Sequence, residues 1–308
     1  MADQPPTSVL LPTVGWTTVI EEIDAQLEPS DELLVICDDD DDPIAEAIEE
    51  RSLSESVRLV VAGRPEACSG KANAIAAGME AAGHDRIVWT DDDFHHPPDW
   101  LEGLHAEYER NGPTTELPFF VGRDPLAVLL EPLYVIGGPA ALYAGNIAWA
   151  GSLIFDRNDL PDEGSFLCDL RQSMSDDGLL TEYVDITPVK RTRRVPVGGT
   201  IRETLERHVR FTKIVRFHDP RSVAGHAVLA VVLTAAAVVV PALVALGVSL
   251  ALAALYAAFG LRRPTFVLAF PALLVSVPLL AYALVRRTFV WGGRRYRWSG
   301  RFDVEVLD

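Results

Sequence analysis

Three consecutive aspartates, Asp91-Asp92-Asp93, close the apolar run Arg86-Ile87-Val88-Trp89-Thr90 and precede Phe94-His95-His96-Pro97-Pro98-Asp99-Trp100. Carboxylates at i and i+2 on a turn after a strand can share one divalent cation and leave coordination positions open. Asp91 and Asp93 are therefore the candidate ligands of Mg²⁺ or Mn²⁺, hard cations that also take phosphate oxygens. Against this stands a solvated acidic turn, a serious rival in a chain with 44 acidic and 27 basic residues. The position after a strand, with Pro-Pro-Asp-Trp opening a helix, favours the metal. Asp92 is expected to be dispensable. His95 and His96 have no histidine or cysteine at zinc spacing and read as loop residues near the site.

Other residues add to this chemistry. Asp176-Asp177, in Met174-Ser175-Asp176-Asp177-Gly178, offers either a general base or helix-start acids stabilised by the dipole. Arg207 and Arg210 lie three apart on a helix that Thr200 and Glu203 open as a T-x-x-E box. They can grip a pyrophosphate together, or belong to a membrane-surface helix with basic flanks. Asp38 to Asp42 is an acidic run, from which one member can face inward to a nucleotide base, and it lacks the EF-hand spacing. Ser69-Gly70-Lys71-Ala72 fails as a phosphate loop: Pro65 stands where glycine is required and Ala72 where Ser/Thr would hold the metal.

Both acidic clusters follow apolar strands. Ser8–Leu11, Leu33–Ile36, Val57–Val61 and Arg86–Thr90 read as strands, with helices expected from Pro43 and from Lys71 to Ala82. The alternation predicts a largely parallel, doubly wound α/β sheet whose ligands lie beyond the strand C-termini. Leu126 to Leu142, apolar except for Glu131, reads as either an interfacial segment or buried core.

The chain changes character near residue 220. Ala227 to Phe259 and Pro264 to Val285 contain no charge, with Arg262-Arg263 between them and Arg286-Arg287 closing the second. The second can cross a bilayer once. The first, about 50 Å as one helix, is one overlong span or two short ones broken around Pro241 and Gly247. The expected domains are 1–220 catalytic, 221–290 with two or three membrane helices, and 291–308 a basic aromatic tail. Two spans return that tail to the catalytic side; three put it outside.

The formal charge of −17 excludes nucleic acid as a partner class. With lysine only at positions 71, 190 and 213, it fits a surface adapted to strong salt. Cys37, Cys68 and Cys168 form no paired framework, and Met1 to Pro6 has no signal-peptide pattern, so the expectation is a cytoplasmic first domain on a cell membrane.

Taken together these segments resemble the membrane-bound family 2 glycosyltransferases, and more closely the ceramide glucosyltransferase-like group. The resemblance runs through Val9-Leu10-Leu11-Pro12-Thr13, Leu33 to Cys37, Gly70-Lys71-Ala72-Asn73, the D-x-D strand, Asp176-Asp177 (usually Glu-Asp), and Arg207-His208-Val209-Arg210-Phe211 as Q/R-x-x-R-W. The basic aromatic stretch Trp291 to Tyr296 continues it. It implies a GT-A-type domain followed by membrane helices, and an inverting, metal-dependent hexosyltransferase moving a sugar from a nucleotide sugar to a membrane lipid acceptor. Asp39, with Asp38 as rival, would contact the nucleotide, Lys71 would lie near its pocket, and Asp176 would be substrate-binding. Asp91 and Asp93 would flank the diphosphate and metal, Asp177 would be the base, and Arg207 with Arg210 would stabilise the leaving group. Phe211 replaces the usual tryptophan and keeps an aromatic platform. Without an N-terminal span, ceramide itself need not be the acceptor. A processive polysaccharide synthase and a catalytically silent nucleotide-sugar-binding protein are the alternatives; the small membrane region counts against the first, Asp177 and Arg210 against the second.

Overall fold

The computed structural model describes residues 4–51 and 53–307. Four strands, β1 (Thr7–Pro12), β2 (Glu32–Cys37), β3 (Val57–Val61) and β4 (Arg86–Thr90), alternate with α1 (Val19–Asp24), α2 (Pro43–Glu49) and α3 (Gly70–Ala81). The strands run parallel in the order β3-β2-β1-β4. α2 and α3 start where a short polar side chain satisfies a free N–H: Asp42 accepts from Ile44 N at 3.0 Å, with Pro43 pre-set for the first turn, and Ser69 Oγ accepts from Ala72 N at 3.0 Å.

Side chains alternate across the sheet, as a period of two requires. Leu10, Leu34 and Ile36 bury against α3, while Val9, Leu11, Leu33 and Val35 bury against α1 and α2. At Gly78 a Cβ would collide with Ile36 and Leu10, so glycine lets α3 lie close on the sheet.

The next elements are α4 (Trp100–Asn111), β5 (Thr114–Gly122), α5 (Pro125–Val135), α6 (Ala141–Gly145), β6 (Ser152–Asp156), α7 (Glu163–Leu170), α8 (Asp176–Tyr183) and β7 (Thr187–Val197). β6 is antiparallel to both β4 and β5, so the sheet is seven-stranded and mixed, in the order β3-β2-β1-β4-β6-β5-β7. The parallel expectation holds for the N-terminal half only. Strict alternation of strand and helix stops at β5, and the return to β6 reverses direction.

Then follow α9 (Ile201–His218), α10 (Pro220–Val239), α11 (Pro241–Ala258), α12 (Ala269–Val285), β8 (Thr288–Trp291) and β9 (Arg294–Gly300). The charge-free run breaks at Val240 (φ −133°, ψ 60°) ahead of Pro241, and Gly247 lies inside α11. β8 and β9 form a hairpin turned by Gly292 and Gly293, whose φ values of 54° and 75° suit glycine.

By contacts the chain forms two compact units. One comprises residues 1–117, 145–189 and 302–306; the other comprises 118–144, 190–301 and 307–308. This partition differs from the compositional boundary at residue 220, because α5, α6 and α9 belong with the apolar helices. Within the second unit Asp124 caps α5 and also accepts from Thr204 Oγ1 at 2.5 Å, tying α5 to α9. Glu131, fully buried, takes both nitrogens of a bidentate Arg263 (2.9 and 2.8 Å), Thr265 Oγ1 (2.5 Å) and the Gly122 N–H (2.9 Å). That satisfaction is what makes a buried carboxylate tolerable.

Among the described residues, four segments are long and apolar enough to cross a membrane: 125–145, 220–239, 241–258 and 264–285. Packing separates them, since 44% of the first is buried in the protein but only 6%, 11% and 22% of the others. Val228, Val232, Val238, Leu243, Leu246 and Leu250 are all more than half exposed, a contiguous apolar surface of the kind that meets lipid.

Candidate active site

In the first unit, one ammonium group gathers three carboxylates. Lys71 projects from the first turn of α3, which begins where Ser69 N donates to Ser173 O at 3.0 Å. That bond brings the start of α3 beside the start of α8. Lys71 Nζ pairs with Asp91 at the end of β4 and lies 3.2 Å from Asp176 Oδ2. Burial opposes its charge, but Asp176, Asp91 and Asp177 outweigh that and hold Lys71 above its ordinary value.

Asp177 is the adjacent group. Ser175 caps α8 by accepting from Gly178 N at 3.1 Å, which puts Asp176 and Asp177 in the first helical turn. Burial and the Asp176 charge push the Asp177 carboxyl up to about 7; Lys71 and the Ala150 N–H pull the other way. A carboxylate titrating near neutrality is suited to proton transfer at physiological pH.

The loop 148–152 frames this centre. Ala148 N donates to Thr181 Oγ1 (3.0 Å), Ala150 N to Asp177, and Asp91 N to Gly151 O (3.3 Å), so one loop positions both the base candidate and the metal candidate. Thr90 Oγ1 donates its only proton to Gly151 O (2.9 Å), so His96 Nε2, 2.7 Å away, is protonated and donates to Thr90. His96 N and His95 Nδ1 bind the two oxygens of Glu22 at 2.8 and 2.9 Å. Both histidines thus hold the loop down. Asp92, expected to be dispensable, is half-buried and accepts from Thr13 Oγ1 at 2.7 Å; burial raises its carboxyl. It ties the end of β1 to the aspartate turn.

Asp93 is exposed and Asp91 half-buried, both at the C-terminal end of β4. Among the described residues no three His, Cys, Asp or Glu side chains are grouped so as to hold a metal ion by themselves. Two hard carboxylates at this turn could ligate a divalent ion and leave its other positions open, a donor set that fits Mg²⁺ or Mn²⁺. At the end of β2, Asp39 Oδ2 lies 3.7 Å from Arg64, with both side chains largely open to solvent.

Arg207, Arg210 and Phe211 fall in the second unit. Trp291 lies under both guanidinium groups, with Cζ of Arg207 4.9 Å and of Arg210 4.1 Å from its ring centre. Phe211 packs on Phe120 and Tyr134 at 5.4 and 6.4 Å. The platform beneath the arginines is therefore supplied by β8, from the basic aromatic tail. Thr13, Thr90 and the loop 148–152 were also missed; small hydroxyls and backbone N–H groups leave no spacing pattern.

Residues 17–133 match the family model described as Glycosyl transferase family 2. Comparison with curated proteins finds no match. Among solved structures, the chain is similar to the mannosyltransferase PcManGT from Pyrobaculum calidifontis in complex with GDP-Man and Mn²⁺. The TM-score is 0.54 and the identity 20%, over 92% of this chain and 87% of that one. Glucosyl-3-phosphoglycerate synthase from Mycobacterium tuberculosis in complex with Mn²⁺, UDP and glucosyl-3-phosphoglycerate overlays more loosely. Its TM-score is 0.42 at 18% identity, over 68% of this chain and 77% of that one. Residues 17–133 thus match a glycosyl transferase family 2 domain, and the chain has a GT-A-like mixed α/β sheet.

Proposed function

We propose that this enzyme is an inverting, metal-dependent transferase that moves one sugar from a nucleotide sugar to a hydroxyl of a membrane lipid. The observation that carries the reading is the clustering of Lys71, Asp91, Asp176 and Asp177, with Asp177 held near neutral pKa. In the step, Asp177 takes the acceptor hydroxyl proton as that oxygen attacks the anomeric carbon from the face opposite the nucleotide. The bond from that carbon to the diphosphate breaks, and its electron pair leaves with the nucleoside diphosphate. No covalent enzyme intermediate is needed, and the anomeric configuration inverts.

Asp91 and Asp93 would hold the divalent ion, which supplies positive charge to the leaving oxygens. The related fold of the mannosyltransferase, solved with GDP-Man and Mn²⁺, supports a nucleotide sugar and this metal class. Lys71 fixes Asp91 and Asp176 in place. Arg207 and Arg210, on one helix face over Trp291, are assigned to the departing diphosphate, and Asp39 to the nucleotide. A lipid acceptor is supported by the apolar surface of α10 and α11. The paired arginines 262–263 and 286–287 support a cytoplasmic catalytic side.

The test is Asp177→Asn assayed with a panel of nucleotide sugars and total membrane lipid. Transfer should fall by about 10³-fold, with nucleotide-sugar binding retained and wild-type product one sugar heavier than the acceptor. Unchanged turnover would remove Asp177 as the base, and a polymeric product would replace single transfer with processive synthesis.

A further inference from the structure

The second unit contains a cavity of about 630 Å³ lined by five cationic side chains, Lys213, Arg216, Arg286, Arg287 and Arg297, and by no acid. Phe217 and Trp298 form its aromatic wall, with ring centres 4.9 Å apart. We infer that this cavity binds the phosphate of an anionic lipid headgroup.

The chemistry of the lining is specific. Five cations around one volume repel each other unless an anion joins them, and arginine forks match phosphate oxygens in pairs. Glu206 lies 3.3 Å from Arg286, and Lys213 donates to the Trp298 carbonyl at 2.8 Å, a neutral partner. Burial and the nearby Arg216 hold Lys213 below its ordinary value, the direction that an arriving anion would reverse.

Location selects a lipid over a soluble phosphate. Lys213, Arg216 and Phe217 occupy the last turns of α9, immediately before the apolar α10. Arg286 and Arg287 follow directly on the apolar α12, whose Leu284 also lines the cavity. The cavity therefore sits where the chain enters and leaves its apolar region, at the depth of headgroups, with tryptophan and arginine in the interfacial positions they favour. The inference rests on α10 and α12 meeting a bilayer. It does not depend on the transfer reaction, because its readout is lipid binding.

The full chain in neutral detergent is titrated with dihexanoyl phosphatidylglycerol, dihexanoyl phosphatidylcholine and inorganic phosphate. Phosphatidylglycerol should bind, with the other two at least about tenfold weaker, and its affinity should fall as salt rises. The double variant Arg287→Gln, Arg297→Gln should weaken phosphatidylglycerol by about twentyfold, with an unchanged melting temperature and unchanged nucleotide-sugar binding. Both side chains are exposed. Equal binding by the double variant and wild type would overturn the site. Equal binding of phosphatidylcholine would overturn the role of headgroup charge. Inorganic phosphate binding as tightly as phosphatidylglycerol would overturn the lipid assignment.

Discussion

Nζ of Lys71 stands 3.2 Å from Oδ2 of Asp176 and is also ion-paired with Asp91, so one side chain links the start of α8 to the end of β4. The base candidate and the metal candidate are thereby coupled electrostatically. Any change at Lys71 or Asp176 is felt by Asp177, whose proton affinity both of them set.

This coupling fixes the pH behaviour. With Asp177 as the proposed base, kcat should fall tenfold per pH unit below about 7 and be level above it. Asp176 raises the Asp177 value, so Asp176→Asn should move the limb to lower pH. Lys71 lowers it, so Lys71→Met should move the limb to higher pH. Profiles of kcat for the three proteins decide the matter; a limb that stays in place in both variants belongs to another group.

The bond from Thr13 to Asp92 gives a second expectation. Asp92 holds the end of β1 against the aspartate turn without being one of the two candidates for metal. Thr13→Val should cost about 1 kcal/mol of stability and lower kcat, with the metal requirement little changed. Asp92→Ala should lower kcat as well, and Asp92→Asn should largely restore it by keeping an acceptor for Thr13. An Asp92→Ala enzyme with wild-type kcat and melting temperature would show the tie to be idle.

What the sequence made legible follows from which forces are local. Strands β1 to β4 and the helices capped by Asp42, Ser69 and Thr200 appear in the sequence because apolar runs and helix-start side chains act within a few residues. The D-x-D turn and Asp176-Asp177 were legible as candidates, since acids at strand ends and helix starts stand out. Their convergence on Lys71 was not, because it depends on the Ser69–Ser173 backbone bond between segments about a hundred residues apart. Glu131 looked like a lone charge in an apolar stretch, and its partner Arg263 lies 132 positions away. The antiparallel β6 was hidden for a similar reason: a buried five-residue strand reads the same in either direction.

The metal expectation is direct. With two carboxylates from the protein and the rest of the coordination from diphosphate, chelation should abolish transfer, and Mn²⁺ or Mg²⁺ should restore it. Asp91→Asn and Asp93→Asn should each raise the metal concentration for half-maximal activity by about tenfold or more. Full activity in chelator would remove the metal role of the aspartate turn.

The number of membrane crossings between α9 and the tail should be even. Residues before α10 (Lys213, Arg216, Phe217) and after α12 (Arg286, Arg287, Thr288) line one cavity, so the chain enters and leaves its apolar region at one level. Three full crossings would put those residues on opposite faces of a bilayer about 30 Å thick. The start of the last apolar segment is held too, since Arg263 is bound to Glu131, which also accepts from Gly122 at the end of β5. The arrangement that fits is a hairpin of α10 and α11 turning at Val240, with α12 lying along the protein. Cys168 is exposed and Cys37 and Cys68 are buried, so Cys168 serves as the native reporter of the catalytic unit. In sealed vesicles, an impermeant thiol reagent should label Cys168 and an added Asp303→Cys from the same side, and Val240→Cys only from the other. Labelling of Asp303→Cys from the side opposite to Cys168 would establish an odd number of crossings and overturn this arrangement.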